Sequence, residues 1–351
     1  MNNLKKLNQV LLFTALLFTF FYFGRSFLIP FIFGIFFALL VNPLSIFLEK
    51  KMGFNRMFSS LTCTFLVFIT AGGIMVLFTY QINHFFSDFS SLQDRVDSFI
   101  SSIQEQIASV TNLSEREQNR IWQERSKEVM GSVQSYVTGF FGSIFSALGN
   151  FLLMLIYIFL LLLYRDKFSD FVMMYAKNAK TDEIKEILHK TGGVVYQYLL
   201  GRIKVMALLG ILYIITFVSF GLPYAVLLTL FGTLITIIPY LGPFISGLLP
   251  ILFAVIFFDS MQKIILFASI VVVIQLIESY VFEPLIMGKQ VKLNPLIVII
   301  AIIIGGMVWG LAGMILFVPL FAMFKIVSFH ISGLKPVGYL VGNSDDKKKE
   351  E

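Results

Sequence analysis

The apolar stretch Met261 to Phe282 holds the residues best suited to ion chemistry, Gln275 and Glu278. An acid inside a membrane span is costly in free energy, so it usually faces a partner or a water-filled cavity. Residues three apart are neighbours on a helix, which places Gln275 beside Glu278. Glu278 could therefore load and release a proton or coordinate a cation. The alternative is that it lies near the interface and pairs with Lys289 or Lys292.

A pair of prolines breaks a second apolar stretch, Gly221 to Asp259. Pro239 and Pro243 each remove an amide donor and disfavour helix at the preceding residue, which predicts two helices joined by a tight break at residues 240–242. Each arm holds about 15 residues, fewer than the roughly 20 that cross a bilayer, which favours a re-entrant hairpin over two spans. Broken helices of this kind mark substrate sites in transporters. The alternative is that Pro and Gly, which are common in membrane helices, interrupt the helix here without forming a site. The candidate binding residues at the break are Pro239, Tyr240, Gly242 and Pro243.

A third apolar stretch, 294–328, is interrupted by glycines at 305, 306, 310 and 313. Gly306 and Gly310 form a GxxxG pattern, which allows close helix contact in lipid. The two broken stretches flank one intact span, as paired discontinuous segments do in transporters. The remaining candidate site residues are Gly306, Gly310, Ser279, Tyr280 and, at a polar kink before Pro43, Asn42.

Composition places the chain in a membrane. Its 351 residues are 57% hydrophobic and 14% charged, with a mean hydropathy of +0.85. A soluble domain cannot hide that much apolar surface. The sequence shows no phosphate-binding loop, Ser/His/Asp ordering, zinc signature or basic-aromatic surface, so it predicts neither an enzyme nor a nucleic-acid partner. With one cysteine and three scattered histidines, it predicts no metal site or cofactor either.

The apolar runs predict an all-α polytopic membrane protein with about six full spans and two broken helical hairpins. The predicted spans are 10–28, 31–48, 59–80, 150–164, 205–220 and 261–282, with Pro30 separating the first two, and the predicted hairpins are 221–259 and 294–328. Lys and Arg flank the spans so that both termini are predicted to be cytoplasmic in a bacterial inner membrane. Arg202 could steer an anion, but snorkelling to the interface explains it more simply. The predicted units are 1–86, 87–149, 150–204, 205–330 and the tail 331–351.

The polar unit 87–149 has a helical period with one apolar face, from Leu92 to Val110. The sequence Ser114-Glu115-Arg116-Glu117 has the spacing of a capping box and predicts the start of a second helix. The unit is therefore interpreted as an extracytoplasmic helical hairpin that covers the bundle. An amphipathic hairpin is also a natural surface for homo-oligomerisation or for a substrate vestibule.

Several motifs of the chain resemble the AI-2E family of bacterial membrane proteins, the autoinducer-2 exporter family. They are Ile238-Pro239-Tyr240-Leu241-Gly242-Pro243, the run Phe37 to Pro43, and the series from Gln275 through Glu278 and Pro284 to Pro319. The resemblance covers essentially the whole chain, more weakly over 87–149. Many members have Asn where this chain has Tyr280, which leaves open a different substrate.

The resemblance implies a secondary transporter that exports a small polar signal such as autoinducer-2, with Glu278 coupling transport to protons or sodium. The alternative is a cation/proton antiporter. A passive channel is a further option. A rival from another class is a non-transporting scaffold that binds partners through 87–149.

Overall fold

The computed structural model describes residues 2–88, 95–96, 98–99, 101, 149–175, 181–287, 293–331 and 333–343. Their principal elements are helices, which we number in chain order. They are α1 (Asn2–Phe23), α2 (Arg25–Met52), α3 (Arg56–Ser87), α4 (Gly149–Leu163), α5 (Arg165–Tyr175), α6 (Thr181–Ser219), α7 (Ala225–Ile235), α8 (Leu241–Phe257), α9 (Met261–Ile277) with its π-helical continuation (Glu278–Met287), α10 (Pro295–His330) and α11 (Lys335–Val341).

Length and apolar composition confirm an all-α polytopic membrane protein. By length and composition, five helical stretches of the described residues are long and apolar enough to cross a bilayer: Arg25–Met52, Arg56–Ser87, Ile184–Ser219, Met261–Met287 and Pro295–His330, the last of which is interrupted at Gly310. Shorter apolar helices accompany them, among them Leu11–Phe23 and Gly149–Leu163. Large apolar side chains on the outer faces are exposed, for example Phe65 on α3 and Ile215 on α6. Such surface is suited to lipid rather than to water.

Most of the predicted unit 87–149 lies outside the described residues. The same holds for Lys289, Lys292 and the charged tail from 344 onward. The interpretation of these segments therefore stays a prediction.

The predicted break at Pro30 is wrong. The chain turns at Gly24, and α2 runs through both Pro30 and Pro43 without interruption. A Cβ at Gly24 would lie 2.6 Å from the Phe20 carbonyl oxygen, so the turn requires a residue without a side chain. Membrane helices tolerate an internal proline where neighbouring groups compensate for the lost hydrogen bond, and Pro30 itself is buried.

Helix α6 is the centre of the bundle. It continues unbroken from the polar stretch after 180 to Ser219, so the predicted fifth span and the polar segment before it are one helix. Its buried side chains Tyr213 and Phe217 pack against α7, α8 and α9. Further toward its N-terminus, Val195 and Tyr198 pack against α10. Helices α2, α3 and α4 form a separate core around Cys63 and Ile158.

Helices α7 and α8 form the first broken hairpin. Helix α7 ends at Ile235 and α8 begins at Leu241, so the break occupies residues 236–240, slightly before the predicted break at 240–242. Pro239 lies inside the break. Pro243 lies in the first turn of α8, where a missing amide donor costs nothing because those donors have no intrahelical partner.

Helix α10 is the second broken hairpin. Gly310 has φ 60° and ψ −139°, which is not helical and suits glycine. A Cβ at Gly305 would run into the backbone of Gly313. Residues eight apart in a straight helix are about 12 Å apart along its axis, so this contact requires that the chain reverse direction at Gly310.

Candidate functional site

Glu278 begins the π-helix and is fully buried. Neither of its carboxylate oxygens has a hydrogen-bond partner in the described structure. Buried polar groups are nearly always hydrogen-bonded, and an exception calls for a physical explanation. A carboxyl in this position must either hold a proton or gain a cation, since an unpaired buried charge is costly.

Gln275, one turn before Glu278, joins three helices. Its Nε2 donates hydrogen bonds to the Tyr213 hydroxyl on α6 and, over 2.9 Å, to the Ser246 hydroxyl on α8. Gly247 makes room for this amide, because a Cβ there would lie 3.2 Å from Gln275 Cγ. The amide oxygen of Gln275 is buried and has no hydrogen-bond donor in the described structure. Three buried acceptor oxygens, one on Gln275 and two on Glu278, are thus unsatisfied within one turn.

The π-helix changes which acids share a face. In an α-helix, Glu278 and Glu283 would point about 140° apart. The i to i+5 hydrogen bonds of a π-helix bring residues five apart to successive turns, and such segments occur frequently at functional sites. The predicted span ends at Phe282, which leaves Glu283 just outside it and absent from the predicted site.

Arg202 is buried, in contrast to the predicted interfacial position. Its side chain is 6% exposed, and Nη1 donates a hydrogen bond of 2.8 Å to Glu283 Oε1. The guanidinium carbon lies 5.9 Å from the centre of the Tyr198 ring, while Nε is buried without a hydrogen-bond partner. The sequence alone shows Arg202 as a basic residue near the start of a predicted span. Only its contact with Glu283, 81 positions away, shows that the side chain is buried and does not extend to the interface.

A cavity of about 810 Å³ lies beside these groups. Five of the predicted site residues line it, namely Pro239, Tyr240, Pro243, Ser279 and Tyr280. Arg202 and Glu283 line it as well, together with residues of α10 such as Pro295 and Val318. The first break, the π-helix, α6 and the second hairpin therefore meet at one polar cavity. Glu278 and Gln275 lie beside it but do not line it.

The break is strained at Tyr240. The Leu241 amide donates a hydrogen bond of 2.7 Å to the Pro239 carbonyl, which closes a three-residue γ-turn around Tyr240 at φ 64° and ψ −52°. A γ-turn with positive φ is rare and unfavourable for a residue with a side chain. Backbone strain of this kind concentrates at ligand-binding and switch regions. A Cβ at Gly242 would lie 2.5 Å from Thr236 Cα, so this glycine allows the break to pack closely on itself, and it does not line the polar cavity.

The break separates the polar cavity from an apolar one. Ile238 lines a second cavity of about 530 Å³, whereas the next residue, Pro239, lines the polar cavity. The apolar cavity is bounded by α3, α7, α8 and α10, through residues such as Phe85, Leu234 and Ile315. The thin wall between the two cavities is therefore the short non-helical segment 236–240.

The structure keeps Gly306 and Gly310 apart from the polar cavity. Gly310 makes the turn of the second hairpin, and a Cβ at Gly306 would lie 2.7 Å from Met314 Cε in the opposite arm. Trp309, next to the turn, donates a hydrogen bond of 2.9 Å to the Phe21 carbonyl on α1. These glycines shape the hairpin and let its tip dock on α1.

Asn42 belongs to a different polar cluster, at the meeting point of α2 with α5. Arg165 Nη1 lies 3.4 Å from the Asn42 side-chain oxygen and 3.2 Å from the Ser45 hydroxyl, while Nη2 lies 2.5 Å from Glu49 Oε2. Asp166 next to it pairs with the Arg56 guanidinium, which holds the pKa of that carboxyl below its ordinary value. With its charges paired, this cluster serves to join helices.

The described residues contain no group of three or more His, Cys, Asp or Glu side chains arranged to hold a metal ion. What they offer for a small cation is the set of unsatisfied oxygens on Gln275 and Glu278.

Comparison with known proteins gives the family. The sequence model described as AI-2E family transporter matches residues 11–333. "Putative transport protein YrrI" of Bacillus subtilis is 34% identical, over 38% of this chain and only 37% of its own length. A "Putative transport protein" of Thermotoga maritima is 25% identical over 92% of this chain and 96% of its own. "AI-2 transport protein TqsA" of Escherichia coli K12 is 22% identical over 92% of this chain and 91% of its own length.

The family match spans the broken hairpins, the π-helix and the cavity between them, and the relatives in Thermotoga and Escherichia align over nearly the whole chain. The chain belongs to the AI-2E transporter family.

Proposed function

We propose that this protein is a secondary transporter that moves a small polar solute through the polar cavity, with Glu278 coupling that movement to an ion gradient. The observation that carries the proposal is a fully buried carboxyl with two unsatisfied oxygens beside a polar cavity. Intramembrane acids of this kind mark ion and substrate pathways. The name of the relative TqsA supports a signal such as autoinducer-2 as cargo.

The break at 236–240 is the element proposed to move. It is short, strained at Tyr240, and forms the wall between the polar and the apolar cavity. A shift of this segment would change which cavity the solute site opens to, as alternating access requires. The distribution of Lys and Arg supports an inner-membrane protein with both termini in the cytoplasm. Export, rather than uptake, is proposed from the family resemblance alone.

A cation/proton antiporter is the second candidate. The three unsatisfied acceptor oxygens on Gln275 and Glu278 favour it. Hard cations are held by carboxylate and amide oxygens, and these three would supply part of such a shell. In this mechanism a sodium ion and a proton would compete for Glu278.

The test is flux in proteoliposomes of the purified protein under imposed proton and sodium gradients. Internal pH and uptake of labelled autoinducer-2 are recorded for the wild type, Glu278→Gln and Glu186→Gln. Glu186 is exposed and pairs with Lys190, so it controls for the loss of a carboxylate elsewhere. Gradient-driven movement that Glu278→Gln abolishes and Glu186→Gln retains supports coupled transport, and the solute or ion that moves separates the two candidates.

A scaffold that binds partners through 87–149, and a homo-oligomer formed there, predict different results. A scaffold would lose its function on deletion of 87–149 and keep it in Glu278→Gln. A passive channel would conduct without any ion gradient. A monomeric mass by light scattering in mild detergent would contradict oligomerisation.

A further inference from the structure

The Arg202–Glu283 pair places opposite charges side by side on the wall of the polar cavity. Sequence analysis assigned neither residue to the site, and the proposed ion coupling through Glu278 does not use them. Their positions bear on which class of solute the cavity accepts.

The positive end of the site is Arg202. Its side chain is 6% exposed, it lines the cavity, and its Nε has no hydrogen-bond partner in the described structure. Helices α8 and α10 both begin at this cavity, since Pro239, Tyr240 and Pro295 line it. The positive ends of their dipoles favour a negative group there.

The N-termini of α8 and α10 contribute the electrostatic field of their dipoles, whereas the backbone amides named next already have hydrogen-bond acceptors. The amides of Leu241 and Gly242 already donate to the carbonyls of Pro239 and Ile238, and that of Leu296 donates to the Asn294 side chain. The charged donor that the described cavity lining offers to an acid group is the guanidinium of Arg202, which binds carboxylates in a fork geometry.

The negative end is Glu283. Its side chain is 37% exposed, so a solute can reach it from the cavity. The bond to Arg202 occupies Oε1. The buried Glu278 lies one turn earlier on the π-helix, and both acids favour a positive group on this side.

We propose that the cavity binds a small zwitterion, whose carboxylate pairs with Arg202 and whose ammonium group pairs with Glu283. The zwitterion would separate the existing pair and replace both of its halves. An anion bound to Arg202 would displace Glu283 and leave that acid without a counter-charge. A cation bound to Glu283 would leave the buried guanidinium of Arg202 unpaired, which is strongly unfavourable. A neutral polyol could not substitute for either partner. The inference rests on the proposed transport function for its biological meaning.

The test uses four labelled compounds on one carbon skeleton: alanine as zwitterion, lactate as anion, alaninamide as cation and lactamide as neutral solute. The same series on the leucine skeleton covers a larger side chain. Binding is measured by equilibrium dialysis against purified protein in mild detergent, and flux is measured in proteoliposomes. The variants are the wild type, Arg202→Met/Glu283→Gln and Glu186→Gln. The double variant removes both charges together and so avoids leaving a single buried charge.

We expect a zwitterion to bind at least tenfold more tightly than its three analogues. The double variant should weaken this binding about tenfold or more, because it loses the charge-assisted hydrogen bonds. Glu186→Gln should leave the binding unchanged. Equal or better binding of lactate, alaninamide or lactamide would overturn the inference. So would failure of both zwitterions to bind, or binding unaffected by the double variant.

Failure of this inference and failure of the proposed function give different results. Coupled flux of lactamide or of autoinducer-2, lost in Glu278→Gln but with no zwitterion bound, would uphold transport and overturn the zwitterion site. Zwitterion binding with no flux of any solute or ion would uphold the site and contradict transport.

Discussion

Gln275 Nε2 lies 2.9 Å from the Ser246 hydroxyl, a contact that ties the first broken hairpin to the helix that carries Glu278. The same amide donates to Tyr213 on α6. The Gln275 side chain therefore couples the position of the hairpin to the position of the buried acid. If either element shifts, these hydrogen bonds must break or the other element must move with it.

Replacing Gln275 by leucine is expected to destabilise the protein by about 1–3 kcal/mol, because the buried hydroxyls of Tyr213 and Ser246 lose a donor. The measurement is thermal unfolding in mild detergent. Gln262→Leu is the matched control, on an exposed position of the same helix, and should change the free energy of unfolding by about 0.5 kcal/mol or less. Equal effects of the two substitutions would contradict the joining role of Gln275.

Glu278→Gln is expected to leave the unfolding temperature unchanged or raise it, although it abolishes coupling. Among the described residues the carboxylate has no hydrogen-bond partner that the amide would lose, and functional sites are often less stable than the fold allows. Glu49→Gln provides the contrast, since Glu49 is paired with Arg165 and its loss should cost about 1–3 kcal/mol. A fall in unfolding temperature for Glu278→Gln as large as that for Glu49→Gln would show that Glu278 has a structural partner.

The two halves of the Arg202–Glu283 pair are expected to respond unequally. Glu283→Gln leaves a 6% exposed guanidinium without its counter-charge, which should cost about 3 kcal/mol or more. Arg202→Met leaves an acid that is 37% exposed and can be hydrated, so its electrostatic cost is smaller. The double variant should be more stable than Glu283→Gln alone. Thermal unfolding of the three variants tests this order, and a double variant no more stable than Glu283→Gln would contradict it.

Gly305→Ala is expected to destabilise the second hairpin by about 3 kcal/mol, because its Cβ would overlap the backbone of Gly313. Gly73→Ala is the control. A Cβ at Gly73 meets nothing within 4 Å, so alanine there should stabilise α3 by about 0.5–1 kcal/mol. The opposite signs should appear in unfolding temperatures, and similar values for the two variants would mean that Gly305 and Gly313 are not in contact.

Tyr240→Gly is expected to stabilise the protein by about 1 kcal/mol, since glycine adopts positive φ without strain. Tyr240→Phe keeps the strain and removes only the hydroxyl, so its stability should match the wild type. Thermal unfolding gives the comparison, and flux assays show whether relief of strain slows transport. A loss of stability in Tyr240→Gly would contradict this expectation, because it would mean that contacts of the Tyr240 side chain stabilise the fold by more than the backbone strain of the turn destabilises it.

Much of the outline could be predicted because it depends on local chemistry. Long apolar runs require a membrane, and Pro239 and Gly310 mark the two breaks through residue types that readily leave a helix. Glu278 was a candidate for the same reason, as an acid in an apolar run stands out without any knowledge of its neighbours. Pro30 shows the limit of this reasoning, because the packed bundle accommodates it within α2 and turns at Gly24 instead.

The site itself depends on contacts between distant parts of the chain. Asn42 was grouped with the transport residues, yet its partner is Arg165, 123 positions away in another cluster. Arg202 was expected at the interface, yet its pairing with Glu283 accompanies deep burial.

The sequence by itself determined the class of protein, the two broken helices and the presence of one acid in an apolar span, since these follow from residue type and spacing. Only the tertiary structure decided which polar groups meet. The π-helix brings Glu283 to the side of Glu278, and α6 brings Arg202 to Glu283 and Tyr213 to Gln275. The physical reason is that a buried polar group is defined by its partners, and those partners come from separate helices whose packing no local pattern encodes.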